Sequence, residues 1–119
     1  MPPKILVADD EQPIVDILAM VLEDAGYTVL RASDGAAARA LVEREAPDLI
    51  ISDIMMPHVS GVELARWVRR RPDGSDVPIV LLSAVRPATP VTPPADAFLP
   101  KPFDLDDVVA LVARFASPA

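Results

Sequence analysis

The chain contains no cysteine, no long apolar run and no excess of positive charge, and each absence excludes a class of protein. Without cysteine, disulfide bridges, zinc–thiolate sites and thiol chemistry are excluded. The net charge of −7 disfavours direct binding to nucleic acid or to an anionic membrane, because phosphate groups repel such a surface. The apolar run after the N-terminal Met-Pro-Pro-Lys is too short for a signal peptide or a membrane span, so a cytoplasmic protein without membrane contact is expected.

What the chain does contain is typical of one globular domain. Its 119 residues, 51% hydrophobic and 24% charged, suffice to bury about two-thirds of the surface that the unfolded chain exposes. No internal repeat, low-complexity linker or second composition interrupts the sequence. We therefore predict a single domain over residues 1–119.

Short apolar stretches alternate with segments whose apolar residues recur at helical spacing. Pro13 suits a first helical turn and Gly26 a helix end. Ser60 and Glu63 have the pattern of a capping box, and Asp104 is placed to cap the last helix. Strands are predicted at residues 4–8, 27–32, 49–53, 77–82 and 97–99. This alternation with short connections predicts a right-handed, mostly parallel α/β sheet.

Polar side chains stand where the predicted strands end. The stretch LIISD, whose apolar residues do not alternate with polar ones, is typical of a strand buried on both faces, and it ends in Asp53. The other strand ends carry, in chain order, Asp9, Asp10, Ser83 and Lys101. Because the carboxyl ends of parallel strands share one edge, where open α/β sheets bind ligands, we expect these groups to converge.

The convergent groups suit a phosphoryl group held beside a hard cation. Three clustered carboxylates repel one another, so their site is costly unless a cation is bound. Oxygen donors without histidine or cysteine select a hard ion, and Mg²⁺ fits best. An ammonium and a hydroxyl at the same point complete a cradle for a tetrahedral dianion. The nucleophile most consistent with this set is the Asp53 carboxylate, which would form an aspartyl phosphate.

Four motifs give the chain a family resemblance. It carries ILVADDE, LIISDIMMPHVSG, VPIVLLSA and AFLPKPF, over about residues 4–115. In these motifs and their order the chain resembles the response-regulator receiver domains of two-component signal transduction. Chemotaxis receivers are among the domains that it resembles. The resemblance implies a flavodoxin-like, doubly wound α/β fold with five parallel strands in the order 2-1-3-4-5.

The resemblance also implies the composition of the site. Asp53 is the implied phosphoacceptor. Mg²⁺ is implied to bind Asp10, Asp53 and the backbone carbonyl of Met55, with Asp9 acting through water. Lys101 is implied to contact the phosphoryl group. Taken without the resemblance, Asp9 and Asp10 could equally be a strand end followed by a helix cap.

Two further residues occupy the positions of the family's switch. Ser83 matches the switch hydroxyl, although a serine at a strand end can simply form hydrogen bonds. Phe98 matches the aromatic switch position, with a plain core residue as the alternative. The resemblance implies a cis peptide bond between Lys101 and Pro102. The single histidine, His58, is expected in an exposed loop without a chemical role.

The function implied by the resemblance is that of a phosphorelay receiver. A sensor histidine kinase or phosphotransfer protein, or a small acyl phosphate, would phosphorylate Asp53 in the presence of Mg²⁺. Phosphorylation would switch a surface that contacts a downstream protein effector. Formation of a homodimer is left as an open alternative. Such a chain is not an enzyme toward other substrates, since it catalyses only its own phosphorylation and dephosphorylation.

The segment between Ser83 and Lys101 departs from the family. It holds 17 residues, a few fewer than is usual, with prolines at 87, 90, 93 and 94. Each proline fixes its own backbone and disfavours helix in the residue before it. We therefore predict that the fourth helix is missing or reduced to one turn, and that the usual readout surface is altered.

Three other functions are alternatives to phosphorylation. A haloacid-dehalogenase-like phosphatase needs a second aspartate two residues after the first, where Asp9 is followed by Glu11. A flavin carrier needs a hydroxyl- and glycine-rich loop after the first strand, where this chain has Asp-Asp-Glu-Gln-Pro. The stronger alternative is a receiver-fold interaction or scaffold module that assembles partners without phosphorylation, which the proline-rich segment favours.

Overall fold

The structure, a computed structural model, describes residues 2–72, 76–84 and 95–116, and these contain five strands and four helices. Their bounds are β1 (Lys4–Ala8), α1 (Gln12–Asp24), β2 (Thr28–Ala32), α2 (Gly35–Glu45), β3 (Leu49–Asp53), α3 (Gly61–Arg70), β4 (Ile79–Ser83), β5 (Ala97–Pro100) and α4 (Leu105–Phe115). None of these described helices has the length and apolar character needed to cross a membrane.

All strand pairs are parallel, and the sheet order is β2-β1-β3-β4-β5. This order confirms the predicted doubly wound topology. The direction in which strands are added reverses beside β1, and such a reversal leaves a crevice at the carboxyl ends of the strands. Asp9, which follows β1, and Asp53, which ends β3, lie at this crevice.

Helices cover both faces of the sheet. In β1, Ile5 and Val7 pack in the core cluster that includes residues of α1 and α4, whereas Leu6 and Ala8 pack in the cluster that includes residues of α2 and α3. Successive side chains of a strand point to opposite faces, so a sheet covered on both faces buries all of them. Every residue of β3 is buried, which explains why LIISD does not alternate.

The predicted helix ends of α1 and α3 are confirmed. Ser60 and Glu63 form a capping box at the start of α3. Gly26, with a φ of 103°, ends α1 in a Schellman motif, in which the N–H of Tyr27 donates to the Leu22 carbonyl at 3.0 Å. Because Tyr27 belongs to this motif, β2 begins one residue later than predicted.

Two other boundary predictions are corrected. β4 begins at Ile79 rather than at residue 77, since Pro78 has no N–H to donate to a neighbouring strand. Asp104 occupies the N-cap position of α4, but its side chain makes no capping hydrogen bond. Two aspartates in the first turn of α4 carry the negative charge that complements the helix dipole instead.

The predicted loss of the fourth helix of the family concerns residues 85–94, which lie outside the described residues. The described end of the β4–β5 connection is held at Asp96. Its N–H donates to the Ile79 carbonyl at 2.8 Å, and its carboxylate accepts from the Ile79 N–H at 2.8 Å and from the Arg69 guanidinium at 2.5 Å. These bonds fix the start of β5 beside β4 and α3, and thereby the position of the residues after β5.

Candidate phosphoacceptor and metal site

Two adjacent strands deliver buried carboxylates to one edge of the sheet. Asp53 and Asp9 are 6% and 0% exposed, and the pairing of Ala8 with Ser52 brings them to the same level. Asp10 beside them is exposed. Carboxylate oxygens of the three aspartates lie within 4.8 Å of one another. The structure thus brings together the three carboxylates that the sequence analysis selected.

The Lys101 ammonium contacts two of these three aspartates and a further carboxylate. It donates to Asp9 Oδ2 at 2.9 Å, to Asp53 Oδ2 at 3.2 Å and to Glu11 Oε2 at 2.9 Å. The backbone N–H of Lys101 donates to the Ser83 carbonyl at 2.8 Å, which continues the pairing of β4 and β5. The peptide bond that follows Lys101 is cis, as the resemblance implies.

Burial and charge act on the two central ionisable groups in different ways. Burial raises the pKa of Asp9, and this effect outweighs the hydrogen bonds from the Glu11 N–H and from Lys101 that lower it. Burial alone would lower the pKa of Lys101, but hydrogen bonds to Asp9 and Glu11 and the nearby carboxylate charges outweigh it and raise that pKa. Lys101 is therefore fully protonated at neutral pH.

The donor set fits Mg²⁺. Asp9, Asp10, Glu11 and Asp53 contribute four carboxylates to the site and Lys101 contributes one ammonium, so negative charge is in excess among these described groups. Clustered carboxylate oxygens favour a hard divalent ion. The Met55 N–H faces Asp53 Oδ1 at 3.4 Å, which places the Met55 main chain beside the cluster. Metal binding by the Met55 carbonyl stays a prediction.

An apolar groove adjoins the cluster. It has a volume of about 510 Å³ and is lined by Glu11, Ile14, Ile17, Ala84, Lys101, Pro102, Phe103 and Leu105. Lys101 and Glu11 form its polar rim on the side of the aspartates. The groove thus adjoins the carboxylate cluster through these two residues.

The described site can be compared with known proteins. A family model for the response regulator receiver domain matches residues 5–113. The chain belongs to this family. Among the residues that the structure describes, the receiver domain contains the buried aspartate at the end of β3, the acidic pair after β1 and the lysine after β5.

Curated relatives of this receiver are longer proteins. It is 37% identical to the DNA-binding dual master transcriptional regulator RpaA of a Synechocystis species over 92% of the chain and 47% of the relative. It is 39% identical to the phosphate regulon transcriptional regulatory protein PhoB of Pseudomonas aeruginosa over 89% of the chain and 48% of the relative. The receiver therefore spans about half the length of these relatives.

Solved structures give the same assignment. The chemotaxis response regulator CheY4 of Vibrio cholerae is similar with a TM-score of 0.88 and 30% identity, covering 97% of the receiver and 99% of CheY4. TrrA of Thermotoga maritima, solved in complex with Mg²⁺ and BeF, has a TM-score of 0.85 and 32% identity, covering 95% and 98%. The flavodoxin-like receiver fold predicted from the sequence is confirmed.

Of the two predicted switch residues, Ser83 lies at the strand end beside the site and Phe98 lies against the core. Ser83 ends β4 and is buried, one residue beyond Leu82, whose carbonyl accepts the Ile54 N–H just after Asp53. Phe98 is half-buried in β5 and packs against the core on the α2 and α3 side. This packing agrees with the plain core alternative, and the switch roles of both residues stay predictions.

Two residues of the receiver site escaped the sequence analysis. The sequence analysis assigns no site role to Glu11, yet its carboxylate contacts Lys101. Gly61 packs so closely on β3 that a Cβ atom would collide with the Asp53 carbonyl, and its N–H donates to the Ile54 carbonyl at 2.9 Å. A glycine directly after the N-cap serine was the available signal for this close approach. His58 lies exposed in the same loop, as expected.

Proposed function

We propose that this receiver accepts a phosphoryl group on Asp53 in a Mg²⁺-dependent transfer. The donor would be a phosphohistidine of a sensor histidine kinase or phosphotransfer protein, or a small acyl phosphate. The observation that carries the proposal is the buried Asp53 carboxylate, hydrogen-bonded to the Lys101 ammonium beside two further aspartates. The complex of TrrA with Mg²⁺ and BeF supports the same chemistry in a relative.

The transfer needs positioning and charge neutralisation more than proton transfer. A carboxylate oxygen of Asp53 attacks phosphorus in line. An O–P bond forms while the N–P bond of phosphohistidine, or the O–P bond of an acyl phosphate, breaks. The bonding electrons leave with the imidazole or the carboxylate of the donor.

The roles of the surrounding groups follow from their chemistry. Lys101 binds a phosphoryl oxygen through a charge-assisted hydrogen bond, and the Ser83 hydroxyl donates to another. Asp10, Asp53 and the Met55 carbonyl would hold Mg²⁺, and Asp9 would act through water. When bound, Mg²⁺ supplies positive charge to the phosphoryl oxygens.

The output of the modified domain is proposed to be a protein contact. Phosphorylation adds close to two negative charges. Ser83 would move toward these charges while Phe98 turns inward. Both movements would shift an equilibrium between two conformations of the receiver. RpaA and PhoB are named as transcriptional regulators, so an effector that acts on DNA is one candidate target, reached without direct DNA contact by the receiver. A second receiver is another candidate.

The apolar groove beside Lys101 is the proposed contact surface for a protein donor, since Lys101 lines this groove and is hydrogen-bonded to Asp53. The receiver would catalyse only its own phosphorylation and dephosphorylation. We place this exchange in the cytoplasm, where low-molecular-weight acyl phosphates form.

Intact-protein mass after incubation with acetyl phosphate tests the proposal. We expect one added phosphoryl group in the wild type, none in Asp53→Asn and none when Mg²⁺ is chelated. Asp48→Asn, at an exposed aspartate at the opposite edge of the sheet, is the control and should be modified like the wild type. An unmodified wild type in both acetyl phosphate and a histidine-kinase reaction would contradict the proposal and favour the phosphorylation-independent scaffold module.

A further inference from the structure

The Lys101 ammonium has no donor to spare. An ammonium group offers three N–H bonds. In the structure it contacts three carboxylates, those of Asp9, Glu11 and Asp53, at 2.9, 2.9 and 3.2 Å. A phosphoryl oxygen that accepts a hydrogen bond from Lys101 must therefore weaken or replace one of these contacts.

Burial determines which contact exchanges most easily. The side chains of Asp9 and Asp53 are 0% and 8% exposed, whereas that of Glu11 is 60% exposed. A buried carboxylate that loses its partner stays without hydration, while water can replace Lys101 around an exposed one. Backbone N–H groups of Glu11 and Met55 also hold Asp9 and Asp53 in place. Within the described residues, the Glu11 carboxylate has no hydrogen-bond partner besides Lys101.

Charge favours the same exchange. The added phosphoryl charges at Asp53 would be separated from the Glu11 carboxylate by a single ammonium, and like charges repel. We infer that Glu11 is the exchangeable partner of Lys101, which restrains the ammonium in the unmodified receiver and releases it when a phosphoryl group arrives at Asp53. This inference rests on the proposed function. It makes Glu11 a positioning residue, which slows phosphorylation by restraining Lys101.

Glu11→Gln tests the restraint because it removes the charge and keeps the size. The initial rate of Asp53 phosphorylation by acetyl phosphate with Mg²⁺ should rise about two- to fivefold. This is the factor by which one exposed ion pair typically changes an equilibrium constant. Glu43→Gln is the matched control, since Glu43 is an exposed glutamate of α2 and the change in net charge is the same. Its rate should equal that of the wild type. Glu11→Asp, with the charge on a shorter side chain, should fall between.

A second readout does not depend on phosphorylation. The chain has two lysines, Lys4 and Lys101, so nitrogen NMR of the lysine ammonium groups can follow each of them. In the unmodified protein, Glu11→Gln should speed exchange of the Lys101 ammonium protons with water and leave those of Lys4 unchanged. Glu43→Gln should alter neither signal, and circular dichroism should show all variants folded.

The outcomes separate the inference from the function on which it rests. If the wild type is phosphorylated and Glu11→Gln reacts at the same rate, the inference is overturned and the proposed function stands. A slower Glu11→Gln would also overturn it, because Glu11 would then align Lys101 for the reaction rather than restrain it. A wild type that takes no phosphoryl group from any donor would overturn both.

Discussion

The two lysines of this chain lie at opposite edges of the same sheet. Lys4 begins β1, and its ammonium donates to the Glu45 carbonyl at 3.1 Å and lies 3.6 Å from the Glu45 carboxylate, with a side chain 36% exposed. Lys101 follows β5, is 13% exposed and contacts three carboxylates within 3.2 Å. Both lysines make ion pairs, so the presence of an ion pair does not by itself distinguish them.

Burial separates the two lysines. A partly exposed pair such as that of Lys4 is screened by water and salt and contributes little to stability. Charges as buried as Asp9 and Asp53 depend on their partner, because removing one member leaves the others without hydration. At the edge formed by the carboxyl ends of the strands, the charges are buried, and we expect their interaction energy to change when a phosphoryl group or a metal ion binds. At the edge formed by the amino ends, where Lys4 lies, we expect no such change.

Of the substitutions that compare the two lysines, Lys101→Met should have the largest effect, and this effect is on the rate of Asp53 phosphorylation. It removes the charge from the centre of the site, and the rate of Asp53 phosphorylation should fall by about a hundredfold or more, as expected for a lost transition-state donor. Lys4→Met should leave the rate unchanged. Timed mass spectra with acetyl phosphate measure both variants, and a less than about threefold loss in Lys101→Met would remove the distinction between the two edges.

Mg²⁺ should stabilise the carboxyl edge alone. At about a hundred times its dissociation constant, an ion that binds only the folded state raises the free energy of unfolding by about 2.7 kcal/mol. Asp10→Asn should lose most of this gain, and Asp48→Asn should keep it, since Asp48 contacts the backbone N–H of Lys4 at the other edge. Urea unfolding with and without Mg²⁺ measures the gain. If Mg²⁺ raised the free energy of unfolding equally in both variants, the ion would bind somewhere other than the aspartate cluster.

Asp9 should give the Mg²⁺-free protein a distinct dependence on pH. Its pKa is raised in the folded state from 3.8, mainly by burial, so the folded state binds the proton more readily than the unfolded state. The contribution of Asp9 to the free energy of unfolding therefore rises as the pH falls through the raised value toward 3.8. Urea unfolding of the wild type and Asp9→Asn should show the wild type gaining relative to the variant on acidification. A relative loss would contradict the assigned direction.

Lys4→Met should have the smallest effect. Its contacts with Glu45 are partly exposed, so we expect a loss of less than about 1 kcal/mol in the free energy of unfolding. The midpoint of urea unfolding measures it at fixed salt concentration. A loss as large as that of Lys101→Met in Mg²⁺-free buffer would show that the amino edge is equally coupled.

The sequence predicted those parts of the receiver that follow from strand patterns. Asp53 and Lys101 could be placed because each follows a short apolar stretch, and parallel strands bring such positions to one edge. Their family motifs added the strand order. The cap of α3 could be predicted because Ser60 and Glu63 interact locally.

Other features depend on contacts that a linear pattern does not reveal. Glu11 is an exposed acidic residue, and nothing near it in the sequence indicates a lysine 90 positions later. The close approach of Gly61 to Asp53 depends on how the β3–α3 loop folds back. Tyr27 has the apolar character of a strand residue, but the Schellman motif of α1 uses its N–H.

The most direct test of the central claim is to locate the phosphoryl group. Borohydride reduction converts an aspartyl phosphate into homoserine, and peptide mass spectrometry then identifies the modified position. After reaction with acetyl phosphate and Mg²⁺, we predict homoserine at position 53 and unmodified Asp9 and Asp10. Homoserine at one of those two residues, or at an exposed aspartate such as Asp48, would contradict the claim that the buried carboxylate on Lys101 is the phosphoacceptor.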